Sequence, residues 1–216
     1  MKKRLDVAPQ LWDHDKQIAA ASGWLAGIDE VGRGPLAGNV VAACVLFDLS
    51  QDYLPGLNDS KKLTATQREA AFPKIRLRAI AYGIGEASPE EIDKVNILQA
   101  TFLAMRRALE SLPQPPDLLL VDGNHKIPGW SGKQITLVGG DGLSASIAAA
   151  SILAKVTRDA SMQIWDEIHP EYGFAKHKGY GTATHCESIR RYGLTPIHRR
   201  SFCSAFAPES LSLSLF

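Results

Sequence analysis

Three short apolar runs in this chain close in the same way, on an acid beside glycine. Residues 25–28 lead into Asp29-Glu30 with Gly32 just beyond, residues 118–121 into Asp122-Gly123, and residues 135–138 into Gly139-Gly140-Asp141. Runs of this length, bounded by turn formers, read as strands rather than helices. In open α/β sheets, ligands gather at the carboxyl ends of the strands. If these strands are neighbours, four carboxylates meet in one small region.

The other elements are legible from local chemistry. Residues 40–47 are an unbroken, β-branched-rich run that pairs antiparallel with residues 25–29 across a glycine-rich turn. A helix follows Leu63, with Pro73 kinking or ending it. Residues 79–86 read as a third strand. Ser88-Pro89-Glu90-Glu91 is a capping box with proline at the first helical position, opening a helix that runs, in one piece or two, to Leu112. Residues 118–121 and 135–138 read as strands buried on both faces. Residues 144–168 form a long helix whose alanine-rich start lets it lie close to a sheet. A polar loop over 169–181 and a helix over 182–192 complete the pattern. The fold class is therefore α/β, a mixed sheet flanked by helices with a small helical C-terminal appendage. The expected organisation is a leader over 1–23, with a short helix at 13–21, a catalytic domain over 24–206 and a tail over 207–216.

Four converging carboxylates need a counter-charge. Two like charges ~4 Å apart repel by roughly 4 kcal/mol at an effective dielectric near 20. Divalent cations resolve that conflict, and an oxygen-only ligand set suits Mg²⁺ or Mn²⁺ rather than zinc. A pair of such ions is a recurring device for phosphodiester hydrolysis. The competing reading of any single acid here is an N-cap or turn former. Asp29 and Glu30 add a constraint, because successive strand side chains face opposite ways; a backbone turn at Glu30 would let both serve one site.

Composition narrows the class. Hydrophobic residues make up 45% of the 216 residues and charged ones 22%, as in globular proteins. No apolar run approaches the ~18–20 residues of a membrane span. Lys2, Lys3 and Arg4 are followed by Asp6, Asp13, His14 and Asp15 rather than by an apolar core, so a secretory signal is not expected. Cys44, Cys186 and Cys203 show no Cys-x-x-Cys spacing, which points to a reduced, cytoplasmic protein. Net charge is +1, but residues 155–200 hold eight Lys or Arg against five acids, a local tilt that suits phosphate. A monomer is the default expectation.

The residues also resemble a known family. Residues 27–38 (GIDEVGRGPLAG), 56–63 (GLNDSKKL), 121–124 (VDGN), 148–159 (AAASILAKVTRD), 172–182 (YGFAKHKGYGT) and 198–202 (HRRSF) look like the ordered motifs of type 2 ribonucleases H, the bacterial ribonuclease HII group. The resemblance covers residues 24–206 and implies a ribonuclease-H-like fold. It implies an endonuclease that hydrolyses the RNA strand of RNA–DNA hybrids and cuts 5′ of single ribonucleotides in duplex DNA, leaving a 3′-hydroxyl and a 5′-phosphate. Asp29, Glu30, Asp122 and Asp141 match the family's acids for two Mn²⁺ or Mg²⁺ ions. Gly32, Arg33 and Gly34 match the loop that contacts the ribonucleotide through its backbone at the 2′-OH. Tyr180 matches the tyrosine that stacks on the neighbouring sugar. Lys61, Lys62, His177 and Lys178 would supply phosphate contacts, with Ser60 as a hydroxyl donor. Another nuclease of the same fold, or a catalytically silent hybrid-binding module, remains the alternative.

Two features depart from the family pattern. A basic residue often stands two before the fourth acid and a serine directly after it; here the run is Val138-Gly139-Gly140-Asp141-Gly142, so a more permissive loop is expected. The tail alternates Leu with Ser and ends in Leu215-Phe216, resembling peptide ligands of the bacterial sliding clamp, with Ser212 where glutamine is preferred. Leu213, Leu215 and Phe216 would be its anchors; a frayed terminus or a last strand is the alternative.

Overall fold

A strand covered on both faces buries every side chain, alternately to one layer and the other. Residues Val40–Phe47, β2, do so without interruption. In the computed structural model, which describes residues 6–205, Val40, Ala42, Cys44 and Leu46 join one apolar layer and Val41, Ala43, Val45 and Phe47 the other. Around this strand stand β1 (Leu25–Val31), β3 (Ala79–Ala87), β4 (Leu118–Asp122) and β5 (Lys133–Leu137). They form one five-stranded sheet in the order β3-β2-β1-β4-β5. The pairs β1–β2 and β2–β3 are antiparallel, whereas β1–β4 and β4–β5 are parallel.

The helices are α1 (Ala8–Ala19), α2 (Ala65–Arg78), α3 (Pro89–Glu110), α4 (Ala145–Ile168), α5 (Phe174–His177), α6 (Ala183–Tyr192) and α7 (Arg200–Cys203). One face of the sheet is covered by α3, through Ala100, Ala104, Met105 and Ala108. The other is covered by α4, whose Ala148, Ala149 and Ala150 are fully buried. That close approach follows from the small side chains. The C-terminal helices gather round their own cluster, centred on Tyr172, Phe174, Ile189 and Met162.

Local signals held where the chemistry was local. Ser88 and Glu91 close a reciprocal capping box on α3, as expected. That helix is broken at Asn96 (φ 67°, ψ 165°), whose side chain accepts from Leu98 and Gln99 N–H and so caps the second piece.

Elsewhere the structure differs from the reading. The N-terminal helix begins at Ala8 rather than near residue 13 and is part of the core. Trp12 packs 5.1 Å from the Phe47 ring, and fully buried Asp15 accepts the Ser146 N–H at 2.8 Å, at the start of α4. A carboxylate there satisfies a donor that the helix leaves orphaned. Pro73 does not end α2, which continues to Arg78; this proline is exposed, so water can reach the carbonyl it leaves without a partner. β5 is an edge strand with Ile135 at 40% exposure, so it is covered on fewer sides than its apolar run suggests. The loop over 169–181 contains the short helix α5.

Candidate active site and substrate-facing loops

The register of the parallel pair brings two acids to the same level. Gly27 lies opposite Leu120 and Ile28 opposite Val121, so the next step places Asp29 beside Asp122 at the carboxyl ends of β1 and β4. Strand β1 does not turn at Glu30, as the reading required; Glu30 and Val31 still pair with Ala42 and Val41, and the chain leaves the sheet only at Gly32. Both acids nonetheless feel Asp122, the last residue of its strand. Burial, the charge of Glu30 and that of Asp122 push the Asp29 carboxyl well above the usual carboxylate range. Burial raises Glu30 too, with Asp122 adding to the shift and Arg33 opposing it.

Asp141 arrives from a different direction. It sits in the single turn Gly140–Gly142, entered through Gly139 in the left-handed region (φ 68°). The turn is tied to β4, because Asp122 Oδ1 accepts the Gly140 N–H at 2.7 Å. Burial and the neighbouring Asp59 raise the Asp141 pKa. Although burial works the other way, Asp59 is held low by the Lys61 N–H, a hydrogen bond with Asp141 and the charges of Lys62 and Lys61. The two carboxyl groups are thus shifted in opposite directions by their closeness.

The segment around Asp59 reaches the acids from outside the sheet. Lys61 Nζ lies 3.9 Å from Asp141 Oδ2, and Lys62 Nζ lies 3.5 Å from Asp59. Despite desolvation, the charges of Asp141, Asp29, Asp59 and Asp122 raise the Lys61 pKa. Ser60 is 6% exposed, and its hydroxyl lies 2.8 Å from that of Ser151, which in turn hydrogen-bonds Asp29. Ser60 therefore anchors the segment to α4 rather than standing open to a ligand. Asp59 and Ser151 were not picked out from the sequence. Their only signal was that they lie inside the conspicuous runs Asn58-Asp59-Ser60 and Ala150-Ser151-Ile152.

A metal fits this donor set on three counts. The candidate ligand atoms are all carboxylate oxygens, Asp29 and Glu30 are raised by burial with the charge of Asp122 adding to it, and buried Asp141 Oδ2 has no hydrogen-bond partner. Among the described residues no three His, Cys, Asp or Glu side chains form a ready-made cage. That is the usual condition of a Mg²⁺-type site, which takes one or two carboxylates and completes its shell with water and substrate phosphate.

Beside the acids lies a second surface. Gly32, Arg33 and Gly34 open the connection from β1 to β2, and a Cβ on Gly34 would stand 3.8 Å from the ring of Tyr180, which is 45% exposed. Arg33 points back to Glu30 at 3.6 Å. Behind this surface are two buried arginines that sequence reasoning missed. Arg199, 0% exposed, donates to the carbonyls of Gly32 (2.6 Å), Arg33 (3.0 Å), Pro35 (2.8 Å) and Gly38 (2.7 Å). Arg158, 1% exposed, donates to Ala37, Asn39 and Lys178 carbonyls, each at 3.0 Å.

Three histidines hold the Tyr180 loop from below, and their tautomers follow from their partners. His185 Nδ1 faces the Tyr180 carbonyl at 2.9 Å, so it carries the proton and Nε2 accepts. His198 Nε2, 3.0 Å away, must then donate, which leaves its Nδ1 to accept from the Thr195 N–H. His177 donates from Nε2 to Tyr172 O and accepts the Gly179 N–H at Nδ1. Both ring nitrogens of His177 are thus occupied, which removes it from the expected phosphate contacts. Lys178 adopts φ 51° and directs Nζ to the Asp159 carbonyl at 3.4 Å. The tail residues Leu213, Leu215 and Phe216 lie outside the described residues.

The profile of the family described as Ribonuclease HII matches residues 26–205. The chain belongs to the ribonuclease HII family. Among its relatives, the ribonuclease HII of Syntrophotalea carbinolica is 59% identical over 199 residues, covering 91% of this chain and 93% of that one. That of Geobacter sulfurreducens is 53% identical, covering 90% and 89%. Of solved structures, the ribonuclease H2 of Pyrococcus horikoshii OT3 superposes with a TM-score of 0.67 at 30% identity, over 82% of this chain and 93% of that one. The ribonuclease HII of Archaeoglobus fulgidus, solved in a PCNA complex, also gives 0.67, at 24% identity over the same shares. The fold is that of ribonucleases H, and the protein is a ribonuclease H endonuclease acting on RNA–DNA hybrids. No described helix is long and apolar enough to cross a membrane.

Proposed function

We propose that this ribonuclease HII cuts on the 5′ side of a ribonucleotide, within hybrids and where a single one is embedded in duplex DNA, leaving a 3′-hydroxyl and a 5′-phosphate. The observation that carries the reading is the placement of Asp29 and Asp122 at adjacent strand ends, one step beyond the Ile28–Val121 pair, with Glu30 and Asp141 alongside. Asp29, Glu30, Asp122 and Asp141 would hold two Mg²⁺ or Mn²⁺ ions, which would supply charge neutralisation and an acidified water for in-line displacement. Lys61 stands where a phosphate approaching the acids would pass, and it stays cationic because those acids raise its pKa. Lys62 and Lys178 add positive charge to the same approach. Gly34 and Tyr180 form a contiguous surface on which the backbone meets the 2′-OH and the phenol ring stacks on the next sugar.

The deciding experiment is cleavage of duplex DNA carrying one ribonucleotide, in Mg²⁺ and in Mn²⁺, by the native chain and by Asp122→Asn. A single cut 5′ of the ribonucleotide is expected. The variant should keep the fold, since an amide oxygen can still accept the Gly140 N–H, while turnover falls ~10³-fold or more. Cutting restricted to long hybrids, or an active Asp122→Asn, rejects the assignment.

A sliding clamp is proposed as the partner of Leu213, Leu215 and Phe216. The PCNA complex of the Archaeoglobus fulgidus protein supports it by analogy. Clamp binding that survives deletion of Leu215 and Phe216 would exclude it.

A further inference from the structure

The buried pair Arg158 and Arg199 has no role in the chemistry above, and it is a costly thing to build. Two guanidinium groups lie side by side out of water, and among the described residues neither forms a salt bridge with a carboxylate. Burial, with the charge of Arg158 as the second cause, lowers the Arg199 pKa to about 9. Every hydrogen bond the two side chains donate ends on a backbone carbonyl, and nearly all of those carbonyls belong to residues 32–39.

Peptide geometry turns this into a statement about the opposite side of the chain. A trans peptide sets the C=O of one residue and the N–H of the next in opposite directions, and the described residues contain no cis bond. With the carbonyls of Gly32 and Arg33 drawn onto Arg199, the N–H groups of Arg33 and Gly34 must face away from it. Both residues are exposed, and among the described residues neither N–H finds an acceptor. Arg158 extends the same grip across the gap: it binds Ala37 and Asn39 on one side and the Lys178 carbonyl on the other, two residues before Tyr180. The main chain adds a strut, since Leu36 N–H donates to Gly179 O at 2.8 Å.

We propose that Arg199 and Arg158 are positioning residues for ribonucleotide specificity, acting by holding the carbonyls of residues 32–39 inward so that the Arg33 and Gly34 N–H groups are presented beside Tyr180. This rests on the reading of Gly32, Arg33 and Gly34 as the ribonucleotide contact. Neither arginine touches the substrate. A lysine in either place keeps the charge but cannot span several carbonyls with a planar fork, so the loop would lose its aim without losing its sequence.

The test is equilibrium binding in an Asp122→Asn background, using a duplex with one ribonucleotide and the same duplex made wholly of DNA. Arg199→Lys and Arg158→Lys should each cut the preference for the ribonucleotide duplex by about tenfold, the worth of one or two misaligned hydrogen bonds. The Kd for the all-DNA duplex should stay within about twofold. A preference that survives in a folded variant overturns the proposal. So does equal weakening toward both duplexes, which is what a purely structural role would give. If the Asp122→Asn parent itself shows no ribonucleotide preference, the reading of residues 32–34 fails first and the role of the arginines goes with it. Should Arg199→Lys not fold by thermal melt, Arg158→Lys decides, since its side chain holds fewer carbonyls.

Discussion

Residues 32–39 and the turn at 139–142 both stand at the carboxyl end of the sheet and both contain several glycines, yet they are held in different ways. The first is gripped from behind: the carbonyls of Gly32, Arg33, Pro35, Ala37, Gly38 and Asn39 all end on Arg199 or Arg158. The main chain of the second is tied outside its own turn by one hydrogen bond, from Gly140 to Asp122, while the Asp141 side chain meets Asp59 and Lys61. If residues 32–34 contact the ribonucleotide as proposed, a surface that tells one hydroxyl from none gains from being rigid before the ligand arrives. If Asp141 shares a cation as proposed, that cation can place it. The difference in support follows the difference in task.

Alanine substitutions test this contrast directly. At Gly32 (φ 94°) a Cβ would collide with the Arg158 side chain and the Asn39 carbonyl. Gly32→Ala should therefore destabilise the fold by roughly 4 kcal/mol, adding backbone strain to overpacking. Urea denaturation checks this, and a loss under about 1 kcal/mol would mean the grip is loose.

Acid comes next. Burial lowers His185 and His198 to about 4, with neighbouring histidines contributing. The unfolded chain takes up protons below the ordinary value near 6.5, whereas the folded one does so only near 4. Stability from this pair is complete above about pH 6.5 and is lost as pH falls toward 4, by on the order of 3 kcal/mol for each ring. The ionisable groups facing the pair are His177, His169 and Tyr172, and backbone hydrogen bonds at Tyr180, Gly179 and Thr195 only partly offset the shift. Asp29 and Glu30 act in the opposite sense, because their raised pKa values relieve repulsion as they protonate. Amide exchange separates the two: protection at Gly179 and Thr195 should fall between pH 6.5 and 4 while Gly140 and Leu143 hold. Uniform loss across both regions would remove the distinction.

The smallest effects belong to the turn. Gly139 needs its left-handed backbone but has open space around it, so Gly139→Ala should cost only ~1 kcal/mol. Gly142 has neither constraint, and Gly142→Ala should stabilise the protein by about 0.5 kcal/mol through the unfolded state. Thermal melts of the two variants, shifted in opposite directions, are the expected result.

What could be read from the sequence was whatever short-range chemistry dictates. An apolar run closing on Asp29 or Asp122 announces a strand end, and Ser88 with Glu91 announces a helix start, because the partners lie within a few residues. At the Asp141 loop the glycines are legible, but the tether to Asp122 was invisible because it joins β4 to the turn at 140–142. Arg199 and Arg200 show the limit most clearly. They are neighbours of one chemical type, one fully buried and the other exposed, and nothing local tells them apart. The same holds for His177, which reads as a surface cation beside Lys178 and is instead wired into its own loop at both nitrogens.

The link between Gly32 and Arg199 spans 167 positions, and this has a bearing on how the protein is made. As the chain leaves the ribosome, all four acids are present once residue 141 has emerged, along with every strand that carries or borders them. The loop beside them still lacks what shapes it until the final helical stretch has been added and folded back. Under the proposal above, a nascent chain stalled before residue 199 would hold all four acids but not the arginine that holds the carbonyls of Gly32 and Arg33 inward.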